Sequence, residues 1–434
     1  MINKEVIKYI EKNQDEIVNF LSTLISFQST NTGIPGQGRE LELQNWLRDR
    51  FNEFGFDKVD YWAVDSEGKR PNVVGTIKGN DKGESLILNG HCDVVPVHEE
   101  EIKKWETDPW TAVVREGIMY GRGSSDMKSG LTAMIWAAKA IIDSKIKLKG
   151  DLFVESVVGE ESGEGQTIGA KATVDRGYKA PFAIIGEPTN NDIQVRSPGI
   201  FFFELIIPGK EAHICDRNQA IYPQKHGVSS GSKVAVDAIT KSIPFIQLFQ
   251  RIEVDWNQRW QDELLPEEAG IATFTINPCY IEGGKYGAAV VPGYCKIVYN
   301  VRYPHWLKDE DLWEELKEHV NSLSLTDDWL KKNPPQFNVP IIRRWPPMRD
   351  VPKNHPGVQI LASAYKHVTG KETCLTSFKG LADSTFLSQS GIPSVLFGPG
   401  SFNNNVHGPN EFVSIEQMIY YTKIYATMVL SWCG

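Results

Sequence analysis

The sequence predicts an α/β protein, a mostly parallel sheet with helices on both faces, interrupted by an inserted α+β domain. Three observations carry this. Between residues 40 and 190, short apolar strand runs alternate with helix-length segments, the pattern of a parallel sheet covered by helices. Near Ser197–Pro198 the texture changes to long strands of alternating polarity, the mark of an antiparallel sheet. After the proline-rich "RRWPPMRDVPKNHP" the first pattern resumes, so residues 1–197 and 344–434 are expected to form one domain and residues 198–343 the insert.

Each element has its own signal. In "MINKEVIKYIEKNQDEIVNFLSTLISFQS", Ile7, Ile10, Ile17, Leu21 and Leu24 recur at helical spacings with charges between them, whereas a signal peptide needs an unbroken apolar core. "ELELQNWLRDRFNEFG" predicts a helix, "ESLILNG" a buried strand, "SDMKSGLTAMIWAAKAIIDS" a helix, and "DLFVESVV" and "PFAIIGE" two further strands. In the insert, "GIFFFELIIPGKEAH" leads to a helix in "GVSSGSKVAVDAITKSI" and a polar, Trp-bearing stretch over 250–270. Two alternating strands, "GIATFTINPCYIEGG" and "GYCKIVYNVRYP", then flank a Gly-rich connection. The chain closes with strand "PSVLFG" and a helix from Ser414, where S-I-E-Q offers a capping box.

Bulk composition narrows the function. With 434 residues and 41% hydrophobic content the chain is long enough for two cores. Forty-six basic against fifty-five acidic residues give a net charge of −9 without a basic run, which argues against nucleic acid as a partner. No apolar span of membrane length occurs, so no membrane partner is expected and the setting reads as cytoplasmic. Six scattered cysteines, without a Cys-x-x-Cys pair, suggest neither a zinc ribbon nor a disulfide framework; they read as reduced thiols.

Ligands of parallel sheets collect at the carboxyl ends of the strands. Strand "SLILNG" runs into His91, Cys92 and Asp93, and Asp93 is spaced to hold the imidazole with its other nitrogen free for a metal. In "MYGRGSSDMKSG", Gly121 and Gly123 tighten a loop, and Ser124 or Ser125 caps a helix that Asp126 begins. "FVESVVGEESGEGQ" stops at Glu160 and Glu161, "AIIGEPTN" ends in Glu187, and "LFGPGSFNNNVHGPNE" opens into a loop carrying His407. Singly, each has an ordinary reading as a solvated carboxylate, a surface histidine or a helix-dipole partner. Together they assemble hard oxygen donors and two imidazoles at one rim, a set that suits zinc, cobalt or manganese. Five ligands with one shared carboxylate exceed the needs of a single tetrahedral ion and imply two ions about 3.5–4 Å apart. Residues leaving a strand point in different directions, so one glutamate of the pair can bind metal while the other takes a proton.

These residues resemble the dinuclear zinc amidohydrolase and peptidase family, which contains acetylornithine deacetylase, succinyl-diaminopimelate desuccinylase, aminoacylase, carnosinase-type dipeptidases and glutamate carboxypeptidase. The motifs "NGHCDVVP", "W..DPW", "MYGRGSSDMKSG", "VVGEESGEGQ", "IIGEPT", "PGKEAH" and "VHGPNEFV" occur in family order over roughly residues 85 to 413. The resemblance implies a zinc-peptidase-like catalytic domain with an inserted lid and dimerisation domain, two zinc ions and a homodimer. It assigns His91 and Glu187 to one zinc, Glu161 and His407 to the other, and Asp126 to both. Asp93 would orient His91, and Glu160 would be the general acid/base.

By the same resemblance, His213 in "GKEAHI" would stabilise the oxyanion, in many members from the other subunit. Arg302 would take a substrate carboxylate, and Asn277, Gly283 and Gly284 would border the cleft. The chain departs from the family at Cys92, a position commonly small or apolar and read here as packing. It also departs at Asn300, where Asp usually precedes the arginine, and at "KGLAD", where Gly-Thr-Asp is commoner ahead of Asp383. The last two lie toward the substrate. The implied activity is metal-dependent hydrolysis of an N-acyl amide on a small polar amine or amino acid, with acetyl, succinyl and formyl open. A dipeptidase or metallocarboxypeptidase with the same centre is the alternative; a catalytically inactive metal-binding protein is the other, against which the unligated Glu160 speaks.

Overall fold

The computed structural model describes residues 3–32, 37–80, 82–216, 235–265, 272–286, 289–338 and 344–434. The chain divides into two units, Met1–Ser197 with Met348–Gly434, and Pro198–Pro347.

The first unit is built on an eight-stranded sheet. Its strands are β1 (Lys58–Ala63), β2 (Pro71–Ile77), β3 (Leu86–His91), β4 (Leu152–Val157), β5 (Ala183–Pro188), β6 (Ile193–Arg196), β7 (Leu375–Ser377) and β8 (Ser394–Gly398). They lie in the order β1-β2-β4-β3-β5-β8-β6-β7. β3 pairs parallel with β4 and β5, β5 with β8, and β6 with β7; the remaining neighbours are antiparallel. β3, β5 and β8 are buried throughout, as expected of apolar runs covered on both sides.

The covering helices follow from strand alternation. Gly75, Val154, Leu88 and Ile184 are paired across the sheet and face one way. On that face Gly75 meets Phe51 of helix Leu41–Phe54, and Gly90 and Gly186 meet the turn that leads into helix Ser129–Asp143. On the opposite face Glu155 accepts a hydrogen bond from Thr173 of helix Ala170–Asp175. Two N-terminal helices, Lys4–Lys12 and Gln14–Ser26, meet at Asn13 and bury Ile10, Ile17, Leu21 and Leu24. Ser414 caps the last helix, Ile415–Trp432, by accepting from Gln417 N–H (3.2 Å). The Gln417 side chain does not close the expected box; it accepts from Gly400 N–H instead (3.0 Å).

The expected start of the helix at Asp126 is corrected. The regular helix begins at Ser129, and residues 124–128 form an irregular turn in which Asp126 (φ −116°, ψ 99°) is extended. Neither Ser124 nor Ser125 caps it, because the nearby backbone N–H groups are taken by a carboxylate from much later in the chain.

The second unit has an antiparallel sheet ordered Thr275–Gly283, Tyr294–Tyr303, Gly199–Pro208 and Gln336–Asn338. Residues of Gly199–Pro208 alternate buried and half-buried, so one face of the sheet carries the core. Helices Ala238–Arg259 and Asp309–Ser324 contribute Phe245, Phe249, Trp256 and Leu316 to that core, against Phe203 and Tyr299. The helix expected in residues 227–243 begins at Ala238, capped by Asp237, which accepts from Thr240 N–H (3.1 Å); residues 227–234 lie outside the described residues. The stretch expected to be merely polar from residue 250 is helical to Arg259. Most of its polar residues face outward, Glu253 and Asn257 bonding instead to the backbone of Ile276 and Phe274, while Phe245, Phe249, Ile252 and Trp256 recur at helical spacing and are buried.

All six cysteines are free thiols. Among the described residues no helix is long and apolar enough to cross a membrane.

Candidate metal centre

Four strands bring the centre together. β4, β3, β5 and β8 run in the same direction, so their carboxyl ends share one rim. His91 ends β3, Glu187 is the penultimate residue of β5, Glu160 and Glu161 follow β4, and His407 lies in the loop after β8. Two glycines make the approach possible. Helix Ser129–Asp143 crosses β5 so closely that a Cβ on Gly130 would lie 2.0 Å from the Gly186 carbonyl oxygen, which brings the preceding turn and Asp126 beside Glu187. Gly159 adopts φ +80°, which only glycine takes readily, and folds the strand exit so that the two glutamates return over the rim.

The side chains converge around Asp126. Its Oδ1 is 3.2 Å from His91 Nε2 and its Oδ2 is 3.3 Å from His407 Nε2. Glu187 Oε1 is 3.5 Å from the same His91 nitrogen, and Glu161 Oε2 is 3.2 Å from the same His407 nitrogen. One carboxylate therefore lies between two imidazoles, each imidazole with a second carboxylate. His407 holds a left-handed backbone (φ 62°), a conformation unusual for a non-glycine residue and common where function fixes geometry.

Asp93 acts differently from a simple orienting carboxylate. The backbone carbonyl of Asp93 is 2.9 Å from His91 Nδ1, whereas its carboxylate is 3.7 Å away. The carboxylate instead accepts from the backbone N–H groups of Glu160 (3.4 Å) and Glu161 (3.1 Å) and from Asn31 Nδ2 (3.1 Å). Asn31 also donates to Ser162 Oγ (2.9 Å), and Ser162 donates to Glu164, which pairs with the buried Arg70. Asp93 thus holds the glutamate turn, while its main chain fixes the imidazole.

The electrostatics call for cations. Burial disfavours a charged His407, yet hydrogen bonds to Asp126 and Glu161 push it up to about 11. Burial likewise opposes, and Asp126 and Glu187 outweigh it, in raising His91 well above its ordinary value. Asp126 would be raised by burial, but His407 and His91 hold it below the usual carboxylate range. Burial and the Asp126 charge push Glu187 up to about 7 despite His91. Glu160 is raised well above its ordinary value by burial, with His91 opposing and Glu187, Glu161 and Asp383 adding. Glu161 keeps one buried oxygen, Oε1, without a hydrogen-bond partner among the described residues. Three carboxylates and two inward-facing imidazole nitrogens, with acceptor capacity to spare, fit divalent cations of the zinc, cobalt or manganese type.

The other expected site residues are placed as follows. Asp383 is buried with neither carboxylate oxygen hydrogen-bonded among the described residues, and burial raises it well above its ordinary value, with His91 opposing and Asp93 and Glu187 adding. Cys92 is fully buried and burial pushes its thiol well up, so it packs as an inert side chain. His213, Asn277, Gly283, Gly284 and Arg302 belong to the second unit. There His213 Nδ1 accepts from Cys215 N–H (3.3 Å), Asn277 faces Asn300 across the sheet, and Arg302 donates to the Ala272 carbonyl (2.7 Å). Sequence reasoning missed Asn31, Arg122 and Glu411. Glu411 lies within "VHGPNEFV" but carries no signal separating it from an ordinary surface acid.

The chain has relatives over nearly its whole length. The chain is 34% identical to the N-formyl-4-amino-5-aminomethyl-2-methylpyrimidine deformylase of Bacillus subtilis (strain 168), over 98% of this chain and 97% of that protein. It is 31% identical to the protein of the same name from Halalkalibacterium halodurans, over 99% and 97%. The aminopeptidase PepT of Bacillus cereus shares the fold with a TM-score of 0.71 at 20% identity, covering 97% of this chain and 99% of that one. The profile of peptidase family M20/M25/M40 matches residues 87–431, a span that contains the carboxyl ends of β3, β4, β5 and β8. The chain belongs to peptidase family M20/M25/M40.

Proposed function

We propose that the chain is a zinc-dependent amidohydrolase that removes the formyl group from the aminomethyl nitrogen of a small aminopyrimidine. The observation that carries the reading is the division of Asp126 between two imidazoles, with Glu160 left outside those pairings. His91, Glu187 and Asp126 would hold one divalent ion and His407, Glu161 and Asp126 a second, and such ions would supply Lewis acidity toward the amide carbonyl and water. Glu160 takes a proton from the attacking water and returns it to the leaving amine, giving formate and the free amine. Asp93 keeps Glu160 and Glu161 in register by holding their N–H groups. His213 serves the developing oxyanion, and Arg302, Asn277, Gly283, Gly284 and Asp383 the substrate, as the family resemblance implies. Full-length similarity to the two deformylases is what supports the formyl group and the pyrimidine in this reading.

The working form is a homodimer. Strand Thr275–Gly283 lies at the edge of its sheet and exposes Tyr280 (51%) and Ile281 (53%), and its end at Gly283 lies beside the half-exposed Ile239 of helix Ala238–Arg259. Antiparallel pairing of two such edges would cover them.

The test is a substrate panel. Zinc-loaded protein is given N-formyl-4-amino-5-aminomethyl-2-methylpyrimidine, N-acetylornithine, N-succinyl-diaminopimelate and dipeptides, and the released amine is quantified. The highest kcat/KM is expected on the formylated pyrimidine; a preference for dipeptides would make the chain a peptidase.

A further inference from the structure

Glu411 takes no part in the chemistry proposed above, yet it is 1% exposed and carries a dense set of hydrogen bonds. Its Oε1 accepts from the backbone N–H groups of Ser125 (2.9 Å) and Asp126 (3.0 Å). Its Oε2 accepts from Gly123 N–H (2.9 Å) and from Arg122 Nη1 (2.9 Å). Arg122, also 1% exposed, reaches the carbonyl of Gly408, the neighbour of His407, at 3.3 Å and donates to Glu101. The backbone of Glu411 accepts from Gly121 N–H (3.0 Å), and Phe412–Ser414 pairs with Ile118–Tyr120. One buried ion pair therefore ties the turn that carries Asp126 to the loop that carries His407. Because residues 124–128 lack a regular helical start, the N–H groups that converge on Glu411 depend on it for their pairing.

We propose that Glu411, clamped by Arg122, is a positioning residue that sets the separation of Asp126 from His407 and so the chain's affinity for the ion those two residues share. This rests on the metal-centre reading given under Proposed function. An amide in place of the carboxylate cannot do the same work. Whichever way it is turned, its NH2 group faces backbone N–H donors, and the negative charge opposite Arg122 is lost. Partners behind metal ligands are worth about 10–100-fold in metal affinity when altered.

The test compares the full chain with Glu411→Gln and with Arg122→Lys, which keeps the charge but loses the planar fork. Stepwise zinc affinities are measured against a competing chelator, and cobalt absorption spectra are recorded after one and two equivalents. Hydrogen exchange of the metal-free proteins is followed over residues 121–126 and 404–411. Glu411→Gln should weaken one of the two zinc-binding steps by about 10–100-fold, alter the cobalt spectrum at the matching equivalent and speed exchange in both loops. A variant that melts earlier but keeps wild-type affinity and spectrum would show a merely structural role and overturn the inference. If Glu411→Gln does not fold, Arg122→Lys decides by the same measurements. Wild-type protein that takes up fewer than two ions overturns the metal-centre reading itself, which separates the two failures.

Discussion

Substituting Gly130 with alanine tests how the centre is held. A methyl group there would lie 2.0 Å from the Gly186 carbonyl oxygen, 2.9 Å from its carbon and 3.2 Å from Cα, all of them backbone atoms of a central strand. A carbon beside a carbonyl oxygen needs about 3.3 Å, so helix and strand must separate by roughly 1 Å. Strain from overpacking costs about 1–3 kcal/mol. The same change would contribute about 0.5–1 kcal/mol through helix propensity in an unhindered helix. Strain wins, and a net loss of stability is expected. The functional effect is larger, because the separated backbones carry Asp126 on one side and Glu187 on the other, and the two share His91 Nε2 at 3.2 and 3.5 Å. A displacement of about 1 Å costs on the order of 10²-fold in rate. Urea midpoints, zinc titration and kcat on the preferred substrate would be measured side by side. A Gly130→Ala protein that is more stable than wild type and turns over within twofold of it would refute the reasoning.

Glu160→Gln should retain both ions but lower kcat by about 10²–10⁴-fold; wild-type turnover at full metal content would remove Glu160 from the reaction. Chelation should abolish turnover and lower the melting temperature, with zinc or cobalt restoring both, since ligand at 100 times its Kd stabilises by about 2.7 kcal/mol; indifference to chelators would count against the centre. In the metal-free chain His407 is raised to about 11, so its stabilising contribution is complete below its ordinary value of about 6.5 and fades as pH rises toward 11, visible as a falling melting temperature. Ile281→Lys on the exposed sheet edge should shift the protein toward monomer in light scattering; an unchanged dimer mass would place the interface elsewhere.

The sheet and the convergence of acidic residues at its rim were legible because both are local in cause. An apolar run of strand length announces a buried parallel strand, and the residue that follows it falls at the carboxyl end wherever the strand lies in the sheet. His91, Glu160, Glu161 and Glu187 come together for that reason. Asp126 is different. Its surroundings read as a helix start because serines precede it, but its backbone is held by Glu411, 285 residues later, a pairing no local pattern encodes. Asp93 shows a subtler limit: the H-x-D spacing suggests a carboxylate on the imidazole, whereas the main-chain carbonyl takes that place and the carboxylate turns to the glutamate turn. In the insert, the polar majority of residues 250–259 concealed a helix whose inner stripe is only a few large apolar side chains.

The position of β8 governs how the protein comes into being. This strand arrives from the far side of the insert, yet it sits inside the sheet, between β5 and β6. A ribosome adding roughly 5–20 residues per second leaves β5 with an unfilled flank while the whole insert is made, and supplies His407 later still. The nascent chain therefore carries an open strand edge through the whole of that interval, which makes it the period in which wrong edge-to-edge pairing has most opportunity.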